Sequence, residues 1–174
     1  VQGRMRIVSH AMDNSHKLTE EIAAPHAIEP YSMFGYSTSY NREYSANGNC
    51  TILVIKKEFL FSELTKHSIF TINFLNLVCN KAQKLENTIN THLTNSIAGR
   101  IHKFILLRCE QHHGRKILSI KMEKLATILC ETRLNISKSL NELQDYGLVE
   151  LHRKEIVIPS LNKLTDYIKE QEVQ

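Results

Sequence analysis

The sequence predicts an α+β chain in three stretches: a strand-rich opening, one long helix, and a C-terminal unit of short helices closed by a β-hairpin. Three observations predict it. Residues 1–67 carry two of the three prolines and short β-branched runs broken by Asn, Gly and Pro, the texture of an antiparallel sandwich or barrel. Residues 68–97 hold neither Gly nor Pro, and apolar residues recur there at alternating spacings of 4 and 3, a helical period. From Met122 onward, two short helical patterns are followed by two apolar runs flanking a basic triplet.

In the opening stretch, Arg4 to Met12 mixes apolar and polar residues. Asp13-Asn14-Ser15 reads as a turn, and Leu18 to Ala24 follows it. Asn47-Gly48-Asn49 reads as a second turn, leading into a strand over Cys50 to Ile55. In the second stretch, Thr71, Leu75, Val78, Ala82, Leu85, Ile89 and His92 form a heptad a/d seam. A helix of about 25 residues spans about 37 Å, and its stripe needs cover. The chain's own β segment can supply it, or a second copy can. The seam is narrow rather than broadly amphipathic, which favours the second copy. Leu75, Val78, Ala82, Leu85 and Ile89 are then the dimerisation residues. Thr71, Ala82 and His92 are poor seam residues, so association needs further contacts.

The third stretch opens with Asn95 or Ser96 as a cap for a helix bearing Ile97, Ile101, Phe104, Ile105 and Leu106. Lys116 to Ile120 reads as a strand. Leu125 and Leu129 share one face of a short helix, and Cys130 to Thr132 form a turn. Thr132 can cap a second helix with Ile136, Leu140 and Leu143 at i, i+4 and i+7, which Gly147 ends. That is a helix-turn-helix. The second helix turns Thr132, Arg133, Asn135, Ser137, Lys138 and Asn141 outward. Arg can bond guanine O6 and N7 bidentately and Asn can bond adenine N6 and N7. Ser and Lys reach phosphates. The N-terminal part of such a helix enters the major groove of duplex DNA. Leu148–Leu151 and Ile156–Ile158 then read as the strands of a hairpin whose basic turn is His152-Arg153-Lys154. A basic tip of this kind can lie along the phosphate backbone.

Composition fits this reading and excludes others. Net charge is +4, and from Asn95 onward there are 13 Lys/Arg against 10 Asp/Glu. No stretch approaches the about 18 consecutive apolar residues of a membrane span, and no secretory leader opens the chain. The four cysteines, Cys50, Cys79, Cys109 and Cys130, form no CxxC. Scattered thiols fit a reducing cytoplasm. An enzyme of the cupin type needs clustered metal ligands such as HxH, and none occurs, so a non-enzymatic role is expected.

The stretch Ile120 to Val149 resembles, without gaps, the DNA-binding domain of the cyclic-AMP receptor protein and fumarate–nitrate regulator family. The family's Ser/Thr-Arg opening and its second cation five residues later are matched by Thr132-Arg133 and Lys138. Leu143-Gln144-Asp145-Tyr146-Gly147-Leu148-Val149 is similar to its L-x-x-x-G-L-I, and Ile156-Val157-Ile158 to its final wing strand. Cys50 to Lys57 looks like the last effector-domain strand, and Val1 to Met5 like a mid-roll strand. The resemblance therefore implies a partial, cupin-like antiparallel β-roll effector domain over 1–67, lacking about a third of its length before Val1. It implies a dimerisation helix over 68–95 and a winged helix-turn-helix over 96–174. It also implies a homodimeric transcription regulator on a pseudo-palindromic operator, with RNA polymerase and a small effector as further partners. The alternative is a winged-helix protein–protein module that does not itself bind DNA.

Two departures concern the motif: Cys130 stands where the turn usually has glycine, and Lys121 where a capping Ser or Thr is expected. A third concerns the effector. The Gly-Glu pair that holds ribose in cyclic-nucleotide binders is absent from Ala27 to Phe34, and Pro30 falls near the glutamate's place. Arg42, in place of the phosphate arginine, is followed by Glu43. Cyclic AMP is therefore not the expected effector. A redox, nitrosative or haem-linked signal is left open, with His10, His16 and His26 as conceivable haem ligands or ordinary polar residues.

Overall fold

A computed structural model describes residues 2–90 and 96–173. Its centre is one six-stranded antiparallel sheet. The strands are β1 (Gln2–His10), β2 (His16–Ala23), β3 (Glu43–Thr51), β4 (Lys116–Ile120), β5 (Glu150–His152) and β6 (Glu155–Ile158), in the order β3-β1-β2-β4-β6-β5. β1 and β2 form a hairpin around Asp13-Asn14-Ser15, where Asn14 takes a positive φ and Ser15 N–H donates to the Asp13 carboxylate.

The sheet crosses the expected boundary between the first and third stretches. β2 pairs with β4 from His16↔Ile120 to Glu20↔Lys116. The last pair is also a buried ion pair: Lys116 Nζ donates to Glu20 Oε2 at 2.8 Å, and both side chains are 1% exposed. The Glu20 carboxylate further accepts the backbone N–H groups of Glu110 and Gln111, and Lys116 also donates to the His113 carbonyl. A buried charge needs such partners.

One expectation for the opening stretch is corrected. Asn47-Gly48-Asn49 is not a turn before a strand; it lies inside β3, which ends at Thr51 rather than running to Ile55. The β1–β3 register shifts between Gln2 and Arg4. Gly48 and Gly3 both take positive φ there, and a Cβ on Gly3 would meet the Asn49 carbonyl at 2.5 Å. The glycine thus absorbs a bulge rather than reversing the chain.

The helices are α1 (Lys57–Ser62), α2 (Ser68–Asn90), α3 (Ile97–Leu106), α4 (Met122–Ile128), α5 (Arg133–Asp145) and α6 (Leu161–Val173). Ser96 caps α3 by accepting from Gly99 N–H. Of the seven seam positions on the long helix, His92 lies outside the described residues, as does Asn95, the other candidate cap. The main core lies between the sheet and α3, α4, α5 and α6, around Ile101, Ile105, Leu118, Leu125, Leu140 and Leu164. The helix α6 has no counterpart in the expectations above. It buries Leu161, Leu164 and Ile168, and Thr165 Oγ1 and His102 Nε2 lie 2.8 Å apart. Among the described residues no helix is long and apolar enough to cross a membrane.

Candidate nucleic-acid interface

Helices α4 and α5 are joined by the four residues Leu129, Cys130, Glu131 and Thr132. Ala126, nearly fully buried, allows the close crossing, and its carbonyl accepts from Glu131 N–H. Cys130 takes φ +52°, so the cysteine adopts the left-handed conformation that glycine favours. Lys121 makes no side-chain cap on α4. Thr132 does cap α5: its hydroxyl accepts from Asn135 N–H at 3.1 Å. At the other end Gly147, with φ +66°, donates to Gln144 O, and Leu148 N–H donates to Leu143 O. This pair of bonds is a Schellman close. The apolar positions Ile136, Leu140 and Leu143 are all buried, which fixes the rotation of α5 and so what it presents outward.

Arg133, Asn135, Lys138 and Asn141 are exposed and Ser137 is half-buried. Several of these groups are already held. Arg133 lies 3.4 Å from Glu123 of α4 in an exposed pair. Asn135 donates its amide to Glu131, whose other oxygen is bonded by Arg100 of α3. The Arg100 and Asn135 bonds hold the Glu131 carboxyl below the usual carboxylate range. Arg100 also donates to the Leu129 carbonyl, so one guanidinium ties α3 to the turn. The roles of Glu123, Glu131 and Arg100 were not visible in the sequence, because each depends on contact across elements. No carboxylate among the described residues pairs with Lys138, Arg153 or Lys154.

β5 and β6 are joined by the two residues Arg153 and Lys154, with Lys154 at φ +64°. The Lys154 carbonyl accepts from Ile120 N–H, which ties the hairpin tip to the end of β4. Between this tip and the start of α5 lies a cleft of about 240 Å3, and Lys121, Arg133, His152 and Lys154 line it beside Glu123 and Glu155. Of the cations foreseen on helix and hairpin, Arg133 and Lys154 therefore share one concavity, and Lys138 and Arg153 lie outside it.

The other predicted residues fall elsewhere. On α2, Leu75, Ala82, Leu85 and Ile89 are exposed and Val78 is half-buried. Arg42 bonds Glu110 and Ser9, while Glu43 points to solvent near His10. Glu110, rather than the neighbouring Glu43, is the carboxylate that occupies Arg42. Both ring nitrogens of His16 are engaged, by Ser15 and Arg108. His10 sits by Glu43 and His26 by Glu110. The three histidines are not brought together, and the described residues contain no cluster of three metal-ligating side chains.

A two-helix unit with a basic hairpin beside it is a winged helix-turn-helix. Residues 99–167 match the family model of the Crp-like helix-turn-helix domain. No curated protein matches the chain. Among solved structures, a regulator assigned to the CRP/FNR family from Eubacterium rectale is 18% identical, with 97% of this chain and 78% of that one covered and a TM-score of 0.50. The catabolite activator protein of Thermus thermophilus is 13% identical over 95% of this chain and 76% of that one, with a TM-score of 0.42. The c-di-GMP responsive global regulator CLP of Xanthomonas campestris is 15% identical over 91% and 82%, with a TM-score of 0.44. The chain carries a Crp-like helix-turn-helix domain, and its fold is that of the CRP/FNR family of transcription regulators.

Proposed function

We propose that this chain binds a pseudo-palindromic DNA site as a homodimer and regulates transcription from it. The observation that carries the reading is the shared cleft of α5 and the hairpin tip. Arg133 and Lys154 line it together, while Lys138 and Arg153 lie outside any ion pair among the described residues. Unpaired cations around a helix N-terminus suit phosphate oxygens. Arg133 is long enough to leave its carboxylate partner for a base edge. Exposed pairs of this kind are worth only about 0–1 kcal/mol, so exchanging them for DNA costs little.

Dimerisation is supported by α2, where Leu75, Leu85 and Ile89 each leave at least half of their surface uncovered. Two copies joined along this helix would set two recognition helices about 34 Å apart, one turn of duplex. The effector is a molecule other than cyclic AMP. Arg42 is committed to Glu110, and the Glu29 carboxylate already accepts from Ser32, Asn41 and Tyr44. Neither is free for a ribose or a cyclic phosphate. Fluorescence anisotropy with a duplex selected from a random pool tests the core of the reading. Arg133→Ala should weaken specific binding about tenfold or more, as loss of a good bidentate contact does. Unchanged affinity would favour the protein–protein module instead.

A further inference from the structure

We infer that Leu134 reads the 5-methyl group of a thymine in the major groove and so sets part of the sequence preference. The inference rests on the DNA-binding reading above. It starts from the rotation of α5. At about 100° per residue, the buried side chains Ile136, Ser139, Leu140 and Leu143 point to one side. Leu134 lies about half a turn from their mean direction, at the centre of the outward face. Lys138 and Asn141 follow it at i+4 and i+7, so the outermost ridge of the helix reads Leu134, Lys138, Asn141. Arg133 and Asn135 flank this ridge rather than crown it.

Leu134 is the second residue of α5, and 64% of its surface is exposed. A single exposed leucine is ordinary on a protein surface. This one stands in the first turn beyond the Thr132 cap, where a recognition helix meets the base edges. It has no hydrogen-bonding group to offer phosphate or water there. The one apolar feature that base pairs present in the major groove is the thymine methyl. Leucine at that point gains by covering it, and it leaves the donors and acceptors of guanine, cytosine or adenine unpaired.

The test begins with selection of a site from random duplexes by the full chain. Each thymine of the selected site is then replaced singly by deoxyuridine, which removes only the methyl. One position in the half-site should lose about fourfold in affinity, the value of one buried methyl. Leu134→Ala should bind thymine and deoxyuridine duplexes alike at that position. It should also leave the slope of log affinity against log salt unchanged, whereas Lys138→Ala should lower that slope by about 1. Because Leu134 is exposed, its melting temperature should stay near that of the parent chain. A selected site insensitive to every deoxyuridine overturns this inference alone, as does a Leu134→Ala variant that keeps the difference. A pool from which no site is enriched overturns the DNA reading, and this inference with it.

Discussion

Lys116→Ala is the substitution for which the structure gives the largest consequence. The Lys116 ammonium and the Glu20 carboxylate are both 1% exposed and 2.8 Å apart, at the edge of the β2–β4 pairing. Removing the ammonium leaves a buried carboxylate with two backbone N–H donors, from Glu110 and Gln111, and no directly bonded cation among the described residues. Breaking a buried pair from one side costs about 3–5 kcal/mol. In a chain of this size about 2–4 °C of melting temperature is lost per kcal/mol. The variant should therefore melt about 6–20 °C lower. The loss should follow the charge rather than the volume, so Lys116→Met should lose most of it as well. The double variant Glu20→Leu with Lys116→Leu should recover much of the stability, because an apolar pair of similar volume is often neutral or better. Circular dichroism melts of the four proteins decide the matter. A Lys116→Ala melt within about 2 °C of the parent, or a double variant no more stable than Lys116→Met, would refute the reasoning.

Other outcomes follow from the same geometry. Burial, with a smaller effect of Lys169, lowers the His102 imidazole to about 4 from 6.5. The unfolded chain therefore takes up a proton between pH 6.5 and 4 that the fold refuses. Stability should fall by up to about 3 kcal/mol over that window as pH drops, and His102→Gln should flatten the urea-unfolding profile there. Thr132→Ala removes the α5 cap and should cost about 1 kcal/mol, read by the same unfolding assay. Leu85→Lys with Ile89→Lys places charge on the exposed stripe of α2 and should shift sedimentation from dimer to monomer. Calorimetric titration with cyclic AMP should give no binding; micromolar affinity would contradict the assignment of Arg42 to Glu110.

The sequence was most legible where local signals agree. In Ile120–Ile158, helical spacing, the Thr132 cap and Gly147 point the same way and stand where expected, while the hairpin tip is Arg153-Lys154 alone because His152 belongs to β5. The opening stretch was less legible. Asn47-Gly48-Asn49 has the composition of a turn, and only the close approach of Gly3 to Asn49 makes it a bulge inside a strand. Pairing of β2 with β4 joins residues about a hundred positions apart, and no local pattern records such a partner. Nothing local in the sequence marks Glu20 and Lys116 as a buried pair, for the same reason. Leu134 was overlooked because an apolar residue on a helix suggests core. The burial of Ile136, Leu140 and Leu143 fixes the rotation of α5 and leaves Leu134 on the outward face.

In the proposed complex, α5 of two copies enters successive major grooves. A hydroxyl-radical footprint of the full chain on a selected duplex tests it most directly. Two protected patches on one face, about 10 base pairs apart, each lost with Arg133→Ala, are the predicted result. A single patch, or a footprint indifferent to Arg133→Ala, would contradict the account.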